Sequence, residues 1–522
     1  MRRIFIITLI LIFIIIIYGC QGSVNKESII IFGKPKDAVT LDPGDTDEGE
    51  STPIVWNIFD TLVRFKGNTV DIEPSLATNW KVSEDGTVWT FYLRKGVKFH
   101  DGTPFNAEAV KFNYDRQIDP KNPYRYQGHF AYWSLFFNKV KKIETVDEYT
   151  VVFKLSQKDP TFLSNLALFN MGIISPTAIK KYKEEIFKNP VGTGPFKFVS
   201  WVKDEKIVVE ANNEYWDTPP KINKIIYKPI PDNSVRLLEL EKGSVNLIDG
   251  INPDDVPRIK KNKDLKLLND LGMNIGYMAI NNEKPPFNKL KVRLAIAHAI
   301  NKDVKVRAFF LNGELGIKAK NPLPPNMWSY NDEIQDYEYN PEKAKKLLKE
   351  AGFSNGFETT LWVMPMSRPY MPNPTRIAES IQEDLKIVGI KTKIITHEWG
   401  TYLNKLANGE HDLALIGWIA DTGDPDNFLY TMLDVENTKK PKAANYSFYK
   451  GEEMHQLLKK AQSTMDQKER EKLYRKVQEI FHRDIPFIPL FHANQIMAAR
   501  NNVNNFLPHP TAAKFFRTIT LD

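Results

Sequence analysis

The sequence predicts an α/β fold with more than one domain, and three observations carry that expectation. The chain has 522 residues, too many for a single hydrophobic core, so two or three domains are required. Its first third alternates apolar and polar residues about tight turns, as paired strands do. Its second half alternates strand-like runs with amphipathic helical spacing, as βα units on a mostly parallel sheet do. Apolar residues make up 42% and charged residues 26%, which fits a soluble globular body.

The start of the chain is separate from that body. Arg2 and Arg3 precede residues 4–17, almost wholly Ile, Leu and Phe, and the run ends at Tyr18-Gly19-Cys20. An apolar run of this length is short for a membrane span of about 20 residues and suits a signal segment; an uncleaved anchor is the alternative. Both place the protein outside the cytoplasmic membrane. Residues 17–20 resemble the bacterial lipobox, in which the cysteine is lipidated and becomes the first mature residue. Cys20 is the only cysteine, so no disulfide can form within the chain and stability must come from burial. The net charge of +7 falls to +5 without Arg2 and Arg3. That mild balance, with both signs mixed, argues against a nucleic-acid surface.

In chain order, residues 21–27 read as a polar tether and 28–32 as a first strand. An acidic loop follows, running from Asp42-Pro43 to Glu50, and 56–65 has helix-like spacing. Trp89, Phe91 and Leu93 share one face of a hairpin whose turn is Asp85-Gly86. Asn106 caps a helix through Tyr114. Residues 139–155 form a second hairpin turning at Asp147-Glu148. Gly192 and Gly194 are read as a tight turn into strand 196–201; no Gly-Lys-Ser/Thr follows to make a phosphate loop. Strands 206–211 and 224–229 come next, then a helix capped by Asp232 or Ser234.

After strand 277–280 the pattern becomes βα. Helix 292–300 precedes a helix opened by Asn340-Pro341. There Ala344, Leu347, Leu348 and Ala351 make one apolar face, and Gly352 ends it. Strand 359–363, helix 375–388, strand 391–396, helix 401–407 and strand 413–417 follow. Helices 452–464 and 467–483 precede strand 487–491.

Chemistry-bearing motifs are few. The nine histidines show no metal-ligand spacing, and no Gly-x-Ser-x-Gly elbow is present. Two loops stand out because they leave the carboxyl ends of strands, where α/β sheets hold ligands. After strand 413–417, residues 417–428 carry Trp418, Asp421, Asp424 and Asp426. After strand 359–363, residues 364–370 carry a single guanidinium, Arg368. An Asp in such a turn is also an ordinary turn former. Taken together, Asp421 and Arg368 suit the ammonium and carboxylate of a small zwitterion, with Trp418 and Tyr370 as aromatic walls.

These residues, with Trp80-Lys-Val-Ser-Glu-Asp-Gly86, Val191-Gly-Thr-Gly-Pro-Phe196, Asn274-Ile-Gly-Tyr277, Arg368-Pro-Tyr370, Glu398-Trp-Gly-Thr-Tyr-Leu403 and the Gly417–Phe428 loop, resemble the peptide/nickel class of bacterial ABC-transporter solute-binding proteins. Within it, the chain is most similar to the dipeptide binders. The resemblance implies a two-lobed periplasmic-binding-protein-like α/β fold with an inserted subdomain in the first lobe. The signal segment would be 1–19 and the lipidated tether 20–27. The first lobe would be 28–69, 190–277 and 494–522, the insertion 70–189, and the second lobe 278–493.

The resemblance also implies roles. Asp421 would hold a peptide's α-ammonium and Arg368 its α-carboxylate. Gly417, Trp418 and Tyr370 would line the second-lobe side, and Glu48 and Gly49 the first-lobe side, in a loop more acidic here than in dipeptide binders. It implies a monomer with no cofactor, no metal and no catalysis. Its partners would be a short peptide, ABC permease subunits and, through the Cys20 lipid, the membrane. A nickel chelate, haem, glutathione or a longer peptide is the rival ligand, and a carboxylate-dependent hydrolase the rival class.

Overall fold

One strand, Phe487–Arg500, belongs to both halves of the molecule. In the computed structural model, which describes residues 28–126 and 128–522, its first part pairs antiparallel with Asn274–Ile280. Its second part pairs antiparallel with Leu265–Leu271. Twelve strands join into one sheet about it. On one side lie Leu413–Ile419, Phe357–Val363 and Ile390–Thr396, the second-lobe strands. On the other lie Leu247–Ile248, Ile29–Lys34, Lys224–Pro229, Lys206–Ala211 and Phe196–Val202, the first-lobe strands. The insertion has its own four-stranded antiparallel sheet, Ala77–Val82, Val88–Leu93, Thr150–Leu155 and Val140–Asp147. It also has its own aromatic-rich core, with Trp89, Phe91, Phe153 and Phe162 in mutual contact. The two-lobed α/β architecture is therefore the expected one. Leader residues and Cys20 lie outside the described residues, among which no helix is long and apolar enough to cross a membrane.

Local chemistry explains the elements that matter. Gly86 turns with φ +71°, and the Asp85 carboxylate takes the Ser83 and Thr87 hydroxyls at 2.5 and 2.8 Å, closing the hairpin. Asn106 accepts from the Ala109 amide at 3.0 Å and starts helix Ala107–Ile118. Asn340 accepts from Lys343, with Pro341 in the first turn of helix Pro341–Glu350. Gly192 and Gly194 are needed for close packing: a Cβ on either would sit 2.1 or 2.6 Å from the Ile58 carbonyl oxygen.

Four expectations are corrected. The helix near 56–65 starts earlier, at Thr52–Ile58 with Pro53 in its first turn, and gives way to strand Val63–Phe65. Its end is set by Phe59, extended at φ −119°, ψ 145°. The second-lobe sheet is mixed. Phe357–Val363 runs parallel to both Ile390–Thr396 and Leu413–Ile419, but Asn274–Ile280 is antiparallel to its neighbours on both sides. The 417–428 loop is shorter than its Gly and Pro content indicates, because Pro425 leads directly into helix Asp426–Leu433. Strand 487–491 continues to Arg500; His492, Asn494 and Gln495 interrupt its apolar pattern yet remain in the ladder.

Those polar residues stand where the strands pass from one lobe to the other. Asn274, fully buried, uses its side chain as an extra rung: Nδ2 donates to the Ala493 carbonyl at 2.8 Å and Oδ1 accepts the Ala493 amide at 2.9 Å. His492 Nδ1 donates to the Asn274 carbonyl at 2.7 Å; burial pushes this imidazole down to about 4, so it stays neutral. Asn274→Ala would leave the buried Ala493 amide without a partner and its carbonyl with only the Gly272 amide, at 3.2 Å. It should cost about 2–3 kcal/mol, read as a lower urea midpoint at unchanged slope. An unchanged midpoint would show that the flanking ladders alone hold the crossing.

Candidate functional site

Strands Phe357–Val363 and Leu413–Ile419 are parallel neighbours, with Leu361 opposite Leu413 and Trp362 opposite Ala414. Their carboxyl ends therefore deliver the Arg368 and Asp421 loops to the same edge. The Arg368 loop is a tight turn closed by two backbone bonds, Arg368 N to Met371 O at 3.1 Å and Met371 N to Arg368 O at 2.9 Å. Ser367 Oγ extends it by donating to Pro372 O at 2.7 Å.

Two glycines seat that turn. Gly276 and Gly417 face each other across adjacent strands. A Cβ on Gly417 would lie 2.3 Å from the Tyr370 ring, and one on Gly276 would lie 2.4 Å from the Tyr370 carbonyl oxygen. Tyr370 thus lies flat on a strip without side chains, and its phenol is pushed up to about 12, chiefly by burial. The predicted residues Gly417 and Tyr370 fit together as a seat for Arg368. The guanidinium carbon stands 4.8 Å from the centre of the Trp399 ring, an arrangement that orients the fork. No side chain among the described residues hydrogen-bonds or ion-pairs with the Arg368 guanidinium, and its Nε is buried without a partner.

The Asp421 loop holds three aspartates in three environments. Asp424 is locked to Arg470 by two bonds of 2.7 and 2.8 Å. Asp426 accepts from Gln462 at 2.9 Å and Tyr474 at 3.3 Å; burial, then neighbouring Asp424, pushes its carboxyl up to about 7. Among the described residues Asp421 has no cation partner, and its oxygens receive only the Tyr132 hydroxyl at 3.1 Å and the Asn427 amide at 3.4 Å. Burial pushes its carboxyl up to about 6. Asn427 is the organiser here, since its Oδ1 also takes the Trp418 indole N–H at 2.9 Å and the Asp421 amide at 3.3 Å.

Tyr132 comes from the insertion, on helix Ala131–Phe136, and its ring packs edge-on against Phe169 at 5.2 Å. Its bond to Asp421 therefore spans the cleft. Val70 spans it too: a Cβ on Gly423 would lie 2.3 Å from Val70 Cγ2. At these two points the insertion and the second lobe are in contact.

Of the first-lobe pair, Glu48 turns its carboxylate onto its own loop, accepting the Glu50 and Ser51 amides at 2.6 and 3.0 Å. Gly49 is exposed beside it. The structure brings together Arg368, Tyr370 and Gly417 on one side, and Asp421 with Trp418 through Asn427 on the other. Trp399, rather than Trp418 or Tyr370, lies under the guanidinium. Nothing in the sequence marks Tyr132 or Asn427; only the aromatic density of residues 130–137 hints at the first. Among the described residues no His, Cys, Asp and Glu side chains group to hold a metal ion.

The chain belongs to a known family. Residues 71–440 match the family described as "Bacterial extracellular solute-binding proteins, family 5 Middle". The chain is 37% identical to the dipeptide-binding protein of Escherichia coli K12, over 92% of this chain and 91% of that one. It is 38% identical to heme-binding protein A of Haemophilus influenzae, over 96% and 94%. Among solved structures, it superposes with a TM-score of 0.83 on the ABC transporter-associated periplasmic binding protein DppA from Helicobacter pylori in complex with the peptide STSA, at 38% identity and covering 95% and 99% of the two chains.

The electrostatics of Asp421 make a signed prediction. Its carboxyl is raised in the folded state from the ordinary 3.8 to about 6, so ionisation favours the unfolded chain. The penalty is absent below about pH 3.8, grows through pH 6 and is complete above it. Asp421→Asn keeps the Tyr132 contact without the charge. It should stabilise the ligand-free protein by about 1–3 kcal/mol at pH 7.5 and leave it unchanged at pH 4, measured by urea unfolding at both.

Proposed function

We propose that the protein is an extracytoplasmic receptor that closes on a short peptide and delivers it to an ABC permease. The observation that carries this reading is charge left unmatched at one sheet edge. Among the described residues one carboxylate lacks a cation and one guanidinium lacks an anion, on adjacent loops of the same lobe. A free peptide supplies both missing charges. Its α-ammonium replaces the water that Asp421 loses on closure, with Tyr132 and Asn427 fixing the acceptor oxygens. Its α-carboxylate meets Arg368, presented by Trp399 and by the Tyr370 turn. Withdrawal from water strengthens both pairs, so the binding energy appears when the lobes meet. Closure turns about the crossing near residues 271–274 and 491–494, where the strands change partners.

The relatives support the ligand class. One is named for dipeptides, and another was solved with the peptide STSA. Dipeptides are the expected best ligands. The two charged groups sit on one lobe, so their separation is set by the sheet, and each added residue shifts the carboxylate by about 3.3–3.6 Å. The charged hydrogen bond does not stretch that far without an intervening water.

The receptor acts as a monomer tethered through a lipid on Cys20, since the apolar leader ends at the sole cysteine. Cys20→Ala should appear in the soluble fraction or keep its leader, by intact-mass measurement of both fractions; an unmodified Cys20 in membrane-bound mature protein would refute the tether.

Calorimetry across Ala-Ala, Ala-Ala-Ala and N-acetyl-Ala-Ala tests the amine and carboxylate sites. Acetylation strands the Asp421 charge in the closed cleft, at a cost of about 3–5 kcal/mol. Asp421→Ala and Arg368→Ala should each weaken Ala-Ala binding by orders of magnitude. N-acetyl-Ala-Ala binding as tightly as Ala-Ala would overturn the amine site. Tight binding of hemin or glutathione with no peptide binding would move the chain to the ligand class of another relative.

A further inference from the structure

One ring orients the guanidinium of Arg368. No side chain among the described residues hydrogen-bonds or ion-pairs with that group, and its Nε is buried without a partner. Its central carbon lies 4.8 Å from the middle of the Trp399 ring. Trp399 opens helix Trp399–Ala407, and Glu398 caps that helix by accepting the Thr401 amide at 3.1 Å. The carboxylate beside Trp399 in the chain is therefore turned onto its own helix rather than onto Arg368.

That ring is itself held. One turn further along the helix, Tyr402 stacks on Trp399, with ring centres 5.9 Å apart and planes 12° from parallel. Tyr402 is fully buried. Its hydroxyl donates to the Leu415 carbonyl at 2.7 Å and lies 3.3 Å from the Trp362 carbonyl. Those carbonyls belong to Leu413–Ile419 and Phe357–Val363, the two strands that deliver the Asp421 and Arg368 loops. Guanidinium, indole and phenol thus run in sequence from the loop down to the sheet that sets the spacing of the two charges. An arginine side chain otherwise has many rotamers, and this stack removes that freedom.

We propose that Trp399 is a specificity-determining residue that favours dipeptides over tripeptides by keeping Arg368 from following the carboxylate of a longer ligand. The inference rests on the reading of Arg368 as the α-carboxylate site. A carboxylate takes two parallel N–H bonds from a guanidinium only when it lies in the plane of the fork. Stacking on the indole fixes that plane and its distance from Asp421. A third residue moves the carboxylate by about 3.3–3.6 Å, beyond the reach of a fork held in place. Without the indole, other Arg368 rotamers open. A mobile fork meets either carboxylate, and its preorganisation for the shorter peptide is lost. Trp399 stands at the carboxylate end, so it acts on peptide length and leaves recognition of the amine alone.

Two affinity ratios isolate this. Ala-Ala against Ala-Ala-Ala reads length, and Ala-Ala against N-acetyl-Ala-Ala reads the amine. Calorimetry should show wild-type protein binding Ala-Ala at least about tenfold more tightly than Ala-Ala-Ala. In Trp399→Leu the length ratio should fall about tenfold, chiefly through weaker Ala-Ala binding, while the amine ratio holds and reports a folded site. Trp399→Phe, which restores an aromatic face, should recover most of the length ratio. Equal binding of the two lengths by wild-type protein, an unchanged length ratio in Trp399→Leu, or collapse of both ratios together would overturn the role of Trp399 while peptide capture stands. Wild-type affinity for Ala-Ala in Arg368→Ala would overturn the carboxylate site itself, and this inference with it.

Discussion

A half-buried carboxylate with no counter-charge among the described residues is the constraint about which this molecule is arranged. Desolvation disfavours the ionised form far more than two neutral donors restore, and Asp421 has only Tyr132 and Asn427. Its loop neighbour Asp424 shows the alternative within three residues, since Arg470 neutralises it in place. The same fold therefore satisfies one aspartate and leaves another wanting. Such a group is tolerated because other parts of the structure hold it there: the sheet edge, the Asn427 amide, and a phenol from the opposite lobe.

The fold was legible to the extent that local pattern decides it. Turn residues such as Asp85-Gly86 and caps such as Asn106 and Asn340 act through their own backbone, so they read correctly in isolation. Strand direction did not, because alternation of strand and helix cannot show that Asn274–Ile280 turns antiparallel to both neighbours. The length of Phe487–Arg500 was hidden for a related reason. His492, Asn494 and Gln495 interrupt its apolar pattern, and the first donates its Nδ1–H to the Asn274 carbonyl, 218 residues away.

The candidate site was legible on one lobe only. Asp421 and Arg368 could be picked out because loops after parallel strands are where ligand groups gather. Their supporting contacts are long-range and carry no local mark. Tyr132 lies 289 residues from Asp421, and one tyrosine in an aromatic stretch looks like any core tyrosine. Gly417 reads in the sequence as a strand end and a lining residue, whereas in three dimensions it is a flat seat that depends on Gly276 across the ladder. The acidic loop likewise looks like one patch of charge until each carboxylate is assigned its partner.

The insertion is joined to the rest of the chain in a different way from the two lobes. The lobes share a sheet through Phe487–Arg500, whereas the insertion closes its hydrogen bonds within a sheet of its own and buries a separate core. Its ladder is its own, and the buried Asp42–Arg116 pair and the Asp45–His129 bond tie it to the first lobe. Yet Tyr132, the cross-cleft donor, is carried by the insertion. A ligand that keeps the cleft shut therefore binds only the state in which the insertion is ordered, and mass action transfers part of its binding free energy to the insertion's stability. Occupancy of the cleft would then be felt on the far face of the insertion as slower amide exchange, at a surface that touches neither ligand nor hinge.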